Sequence, residues 1–127
     1  MEDPQPIYVQ GYDPTGEMTY LFRKKLTMSD FKEGLIMVKN AVHFLDGYKN
    51  TDMWPSFVEG FPIRLYTRQY PVVAQLRYYE VKDRYSLNGK SFRDVAELNG
   101  FVQGMEIDCW AVTTHPIPLC LLLQEAD

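Results

Sequence analysis

The stretch YLFRKKLTMSDFKEGLIMVK, Tyr20 to Lys39, joins two apolar runs through a basic, hydroxyl-rich loop. Tyr20, Leu21 and Phe22 open an extended run, Arg23, Lys24 and Lys25 place three cations in a row, and Leu26 to Phe31 interleave hydroxyls with apolar anchors. Leu35 to Val38 follow at once as a second apolar run, expected to be a strand. Two strands that bury their faces hold the ends of a loop rigidly, so Thr27, Ser29 and the cations beside them become an outward set of donors, suited to a ligand. The same spacing also suits an ordinary surface loop with solvated lysines.

Toward the C-terminus, Val42, Phe44 and Leu45 suit a short helix within Lys39 to Tyr48, closed by Gly47. His43 lies on or near its apolar face and reads as a packed histidine, because a metal site needs partners that the sequence lacks. Lys49 to Gly60 reads as an irregular connection broken by Pro55 and Gly60, with Met53, Trp54 and Phe57 covering one end of the core. Phe61 to Tyr66 and Val72 to Tyr79 alternate as strands around a turn at Arg68, Gln69 and Tyr70. The same alternation puts one of Tyr78 and Tyr79 inside and the other outside. Glu80 to Arg84 form a charged hairpin tip, and Tyr85 and Leu87 return on the next strand. Ser91 is the expected N-cap of a helix that turns Phe92, Val95 and Leu98 inward and ends near Asn99-Gly100. Ile107 to Val112 and Leu119 to Leu123 supply two last strands, joined through His115 and Pro116. Glu106 and Asp108 share one strand face, expected to be the solvated one.

Toward the N-terminus, Met1 to Gly16 holds three prolines and no sustained pattern. Residues 1–19 are expected to be a mobile or loosely docked arm, in which Ile7, Tyr8, Val9 and Tyr12 could add an edge strand or occupy a groove. The domain proper, residues 20–127, is then mainly β, with about seven short strands and two short α-helices. A partly closed barrel is the economical way to bury so many two-sided strands.

A chain of 127 residues with 46% hydrophobic and 14% aromatic content fits one domain with a real core. Ile117 to Leu123, the longest apolar run, contains a proline and is too short to cross a bilayer, and MEDPQPIYVQ lacks the basic start and apolar core of a secretory signal. An intracellular, soluble protein with no membrane partner is expected. Cys109 and Cys120 each lie in an apolar run and read as buried free thiols. The net charge of −4 and pI near 5.1 argue against a nucleic-acid binder when taken whole. However, all thirteen bases lie between Arg23 and Arg93 against seven acids, a local net of +6. The local field governs docking within a Debye length of about 8 Å. No nucleophile elbow, CxxC pair, phosphate-cradling glycine loop or calcium loop is present, so no enzyme, cofactor, metal or small-molecule substrate is expected.

KKLTMSDF followed by LIMVKNAVHFL resembles the start of the plant B3 DNA-binding domain, in which a basic strand leads to a Thr/Ser-x-Ser-Asp-Val/Phe loop, an apolar strand and a short helix. RYYEVKDRYSLNGKSFRDVAELNGFVQGMEIDCW resembles that family's second DNA-contacting arm, Tyr-x-Leu strand, helix and following turn, and PLCLLLQ its closing strand. The resemblance covers roughly Tyr20 to Gln124 and is nearer to the divergent branch of the family. Val38 replaces a common proline, Ser91-Phe92 a Gly-Trp, and Met105 the aspartate of a Gly-Asp. Apolar replacements such as Phe92 for Trp preserve packing, whereas Glu80 and Asp83 in the second arm repel phosphate.

The resemblance implies a seven-stranded open pseudobarrel whose two arms enter the major groove of double-stranded DNA, in a transcription regulator of the plant nucleus. Arg23, Lys24, Lys25 and Lys32 in the first arm, and Arg77, Lys82 and Arg84 in the second, are the candidates for phosphate contact and guanine recognition. Thr27, Ser29, Tyr79 and Asn88 are candidates for shorter contacts, and Lys90 and Arg93 match positions that meet the DNA backbone. Asp30 is expected to brace its own loop by capping backbone amides. The alternative function is a degenerate B3-like module that binds other transcriptional proteins, with Tyr8, Tyr12 and Trp54 as an apolar docking group.

Overall fold

The computed structural model describes residues 4, 17–69, 71–113 and 119–126. Tyr70, His115, Pro116 and the group Ile7, Tyr8, Val9 and Tyr12, with what was expected of them, lie outside those residues. The described elements are β1 (Glu17–Lys25), α1 (Met28–Lys32), α2 (Asn40–Asp46), α3 (Trp54–Glu59), β2 (Phe61–Tyr66), β3 (Val72–Tyr79), β4 (Arg84–Leu87), α4 (Gly89–Asn99), β5 (Glu106–Thr113) and β6 (Cys120–Glu125). The strands form one curled sheet in the order β1-β5-β6-β2-β3-β4. Only the β2–β6 pairing is parallel, and the other four are antiparallel.

The expected mainly β half-barrel is present, with six described strands rather than seven and four helices rather than two. The missing strand is Leu35 to Val38. It contributes an isolated antiparallel bridge, Ile36 to Ser86, flanked by bonds from Leu87 N to Leu35 O and from Met37 N to Tyr85 O, both 2.9 Å. Gly34 at φ +115° and Lys39 at φ +54° turn the backbone away on either side, which leaves room for a bridge but not a ladder. β1 begins at Glu17, three residues before the expected start at Tyr20.

The two unexpected helices have local causes. α1 starts at Thr27, whose extended backbone precedes Asp30 at the third helical position, an arrangement that favours helix initiation. α3 carries Pro55 in its first turn, where the absent N–H would have no partner in any case. The proline opens that helix instead of breaking the segment. α4 is capped by Asn88 rather than Ser91: the Asn88 side chain accepts from Lys90 N at 3.0 Å and Ser91 N at 3.3 Å. It ends as expected at Gly100, in the left-handed conformation.

The core inside the curl contains Leu21, Phe22, Leu35, Leu45, Phe57, Leu76, Tyr85, Phe92, Ile107 and Leu121 among others. A bulge in β1 between Tyr20 and Phe22 allows Leu21 and Phe22, consecutive in sequence, both to be buried. β5 and β6 are buried on both faces, and Tyr66, Trp110, Val112, Cys120 and Leu122 make a second cluster on the outer side. Asp108 is therefore 1% exposed, not solvated as its strand position beside Glu106 suggested. Cys109 and Cys120 are buried free thiols, as expected. His43 is exposed rather than packed.

Candidate nucleic-acid interface

Two projections flank one end of the half-barrel. The first, residues 26–34, runs from the end of β1 through α1. Its shape is fixed by Asp30, which is fully buried. One carboxylate oxygen accepts from Thr27 N at 2.8 Å and Thr27 Oγ1 at 3.1 Å; the other accepts from Lys24 Nζ at 2.6 Å and Ile36 N at 3.4 Å. Lys24 Nζ also donates to Ile36 O at 3.1 Å. Asp30 thus braces its loop as expected, and a buried carboxylate with these donors is compensated. Gly34 and Gly89 let the projection lie close against the β4–α4 junction, and Arg93 Nη1 donates to Phe31 O at 2.7 Å.

The second projection is the β3–β4 hairpin, with Glu80 to Asp83 as its tip. Asp83 adopts φ +48°, and the Tyr78 hydroxyl donates to its carboxylate. That bond folds the acid back onto the root of the hairpin and pushes the Tyr78 phenol up to about 12, with burial adding to the shift. The root is an aromatic cluster: Tyr78 lies 5.0 Å from both Trp54 and Tyr85, centroid to centroid. Lys49 Nζ sits 5.3 Å from the Tyr78 ring centre. Burial, together with a 2.7 Å bond to Asp46, raises the Tyr85 phenol above its ordinary range. Tyr78 and Tyr79 are both half-buried. Strand alternation fails for this pair because Trp54 covers one ring and the Arg77 guanidinium, 4.9 Å from the ring centre, covers the other.

The projections face each other across a cleft of about 160 Å³ lined by Glu33, Tyr79, Lys82, Arg84 and Ser86. Arg84 Nη2 and Glu33 Oε2, 3.7 Å apart, bridge it.

A search of the solved structures finds the Arabidopsis FUS3–DNA complex, a plant B3 domain, at a TM-score of 0.55, covering 85% of this chain and 97% of that one at 18% identity. The fold is that of a B3 domain. No protein-family profile matches the chain, and no curated protein matches it. The strand count of six, with the isolated Ile36–Ser86 bridge on the β4 edge, differs slightly from the seven expected of a B3 pseudobarrel.

Within this B3-type fold the sequence candidates divide into occupied and open groups. Arg23 donates through Nε and Nη2 to the two carboxylate oxygens of Asp108, both at 2.9 Å, and Tyr20 donates to the same carboxylate at 2.8 Å. The hydrogen bonds that Arg23 donates to Asp108 raise its pKa above the ordinary arginine range. Lys24 is committed to Asp30, Asn88 to its cap, and Lys90 to Asp94 at 2.9 Å. Arg93 is exposed but donates to the carbonyls that end α1. Arg77 Nε donates to Val58 O at 3.1 Å. Among the described residues, Lys25, Lys32 and Lys82 are exposed cations with no ion pair. Thr27 and Ser29 are exposed on the first arm.

Sequence reasoning missed Glu33 as the partner of Arg84, and Tyr78 with Asp83 as a hairpin clamp. The second had a signal, since Asp in a four-residue tip tolerates the left-handed conformation. Trp54 is half-buried against Phe57, Tyr78 and Tyr85. Its ring packs the second arm rather than standing free as a docking group.

Proposed function

We propose that this protein binds double-stranded DNA by sequence, its two arms entering the major groove, as a regulator of transcription in the plant nucleus, without catalytic activity. The reading is carried by the opposed, internally braced arms on a B3-type fold, and the FUS3 structure found by fold comparison is of a DNA complex. Lys25, Lys32 and Lys82 neutralise phosphates. Arg77 and Arg84 are the candidates for guanine O6 and N7, and Thr27, Ser29 and Tyr79 for shorter contacts. Lys90 and Arg93 meet the backbone at the start of α4. Arg23, Lys24 and Asn88 serve differently: their polar groups hold the arms and helix that present the others.

Selection from random duplexes, followed by fluorescence anisotropy of the enriched sequence over a salt series, tests this. With about five phosphates met by Lys25, Lys32, Lys82, Lys90 and Arg93, log K against log salt has a slope of about −4.5, and affinity falls roughly five-hundredfold between about 50 and 200 mM. Arg77→Ala relaxes selectivity at one base pair, and Lys82→Ala weakens all sequences and flattens the slope by about one. Failure of any sequence to enrich, with salt-insensitive association to another protein instead, would replace DNA reading by the protein-binding alternative.

A further inference from the structure

Four large apolar side chains are exposed among the described residues: Met28, Val73, Val81 and Val102. Two of them stand on the arms, Met28 at the start of α1 and Val81 at the tip of the β3–β4 hairpin. Val81 is 100% exposed. A lone exposed valine needs no explanation on an ordinary surface. This one sits on a tip where three nearby side chains are engaged, while Glu80 and Lys82 on either side of it are exposed. Asp83 is drawn back by the Tyr78 hydroxyl, Tyr79 is stacked beneath Arg77, and Tyr78 is wedged among Trp54, Tyr85 and Lys49. The backbone at Asp83 is held in a left-handed turn. The side chain is β-branched and therefore stiff about its first torsion. Its neighbour Lys82 is an exposed cation, complementary to phosphate. The tip therefore presents a stiff apolar knob between the opposite charges of Glu80 and Lys82, which suits the major-groove edge of a base pair that carries a methyl group.

Resting on the DNA-binding reading above, we propose that Val81 is a specificity-determining residue that packs against the C5-methyl of a thymine in the major groove. Apolar contact with that methyl is what distinguishes thymine from the other bases without a hydrogen bond. The occupant is a pyrimidine methyl and not a protein side chain, because the knob is a single residue flanked by charge rather than a continuous apolar patch.

The test uses the duplex enriched by the whole protein, with each thymine in turn replaced by deoxyuridine, which removes only the methyl. Wild-type protein loses about fourfold in affinity at one position, the worth of one buried methyl group. Val81→Ala binds the thymine duplex more weakly and is indifferent to uracil at that position, so the two changes are coupled. Thermal unfolding of Val81→Ala at the wild-type temperature shows that folding is unaffected, as full exposure requires. An equal uracil penalty in both proteins at every position, or no penalty in the wild type, would overturn the assignment while leaving DNA binding intact. Failure of the wild-type protein to enrich any sequence would instead overturn the reading on which it rests.

Discussion

Gly34 is the point at which the first arm touches the sheet, and Gly34→Ala tests whether that contact sets the arm's position. A Cβ there would lie 2.0 Å from Leu87 O, 2.8 Å from Ser86 Oγ and 3.1 Å from Gly89 N. The nearest atom is backbone, so no side-chain rotation relieves the overlap. Either β4 or the arm must move by more than an ångström, which strains the bonds from Leu87 N to Leu35 O and from Met37 N to Tyr85 O. The residue also sits at φ +115°, where a side chain costs about 1–3 kcal/mol. Overpacking adds about 1–3 kcal/mol, so a total near 4 kcal/mol is expected, a large share of a typical stability of about 5–15 kcal/mol. Gly100 is the internal control: its φ is +72° and a Cβ would meet nothing within 4 Å. Gly100→Ala then carries backbone strain alone, about 1 kcal/mol. Urea unfolding of both variants measures the difference through the shift in midpoint at constant slope. If Gly34→Ala costs no more than Gly100→Ala, the close approach of arm and sheet is not what the structure says it is.

Other perturbations address the same framework. Asp30→Ala strands a mostly buried Lys24 ammonium and removes the acceptor of Thr27 N, so denaturation should show a loss of about 3–5 kcal/mol. Lys24→Met should cost less, because Asp30 keeps Thr27 N, Thr27 Oγ1 and Ile36 N as donors; equal losses would contradict the bracing role of Asp30. The Tyr78 phenol is raised from 10.0 to about 12 in the folded protein. The folded state therefore holds a proton that the unfolded state releases, and this contribution is present below about pH 10 and disappears as pH rises toward 12. Phenolate absorbance and stability measured across that window should show a smaller loss in Tyr78→Phe than in the wild type. Lys39 occupies φ +54°, ψ −127°, so Lys39→Gly should raise the thermal midpoint by relieving about 1 kcal/mol or more of backbone strain, and a lowered midpoint would disprove it.

Much of the sheet is legible in the sequence because alternation survives wherever one face is dry. Ile63, Leu65, Ala74 and Leu76 fall inside as the pattern requires, and Arg64, Val73, Gln75 and Arg77 fall outside. The pattern misleads at β5 and β6, since a strand covered on both faces shows no alternation for Asp108 to obey. Short helices are the other failure. α1 and α3, of five and six residues, are too brief to display a 3.6-residue period and depend on Thr27–Asp30 and Pro55, cues that serve equally well in turns. Leu35 to Val38 fails for a related reason: composition reports β preference, while the positive φ values at Gly34 and Lys39 decide how much ladder can form.

The site is legible in residue type and less so in availability. A run such as Arg23-Lys24-Lys25 advertises three cations, but two of the three are consumed by Asp108 and Asp30, partners 85 and 6 residues away. No spacing rule distinguishes them from Lys25, because the register of β1 against β5 sets the Arg23–Asp108 pair and the fold of the first arm sets the Lys24–Asp30 pair. Asp83 errs in the opposite direction. Counted as a charge it weakens the second arm, yet as a turn residue bonded to Tyr78 it also shapes the tip. Net charge therefore says little about an arm of this size. On the proposed DNA-binding reading, the cations of the two arms that matter are those left after the fold has met its own electrostatic needs, Lys25, Lys32 and Lys82, with Arg77 and Arg84 held in place by Tyr79 and Glu33. An acidic protein can present such a set because its two buried acids, Asp30 in the first arm and Asp108 on β5, each pair with a single cation of β1 and leave Lys25 and the cations of the arms open.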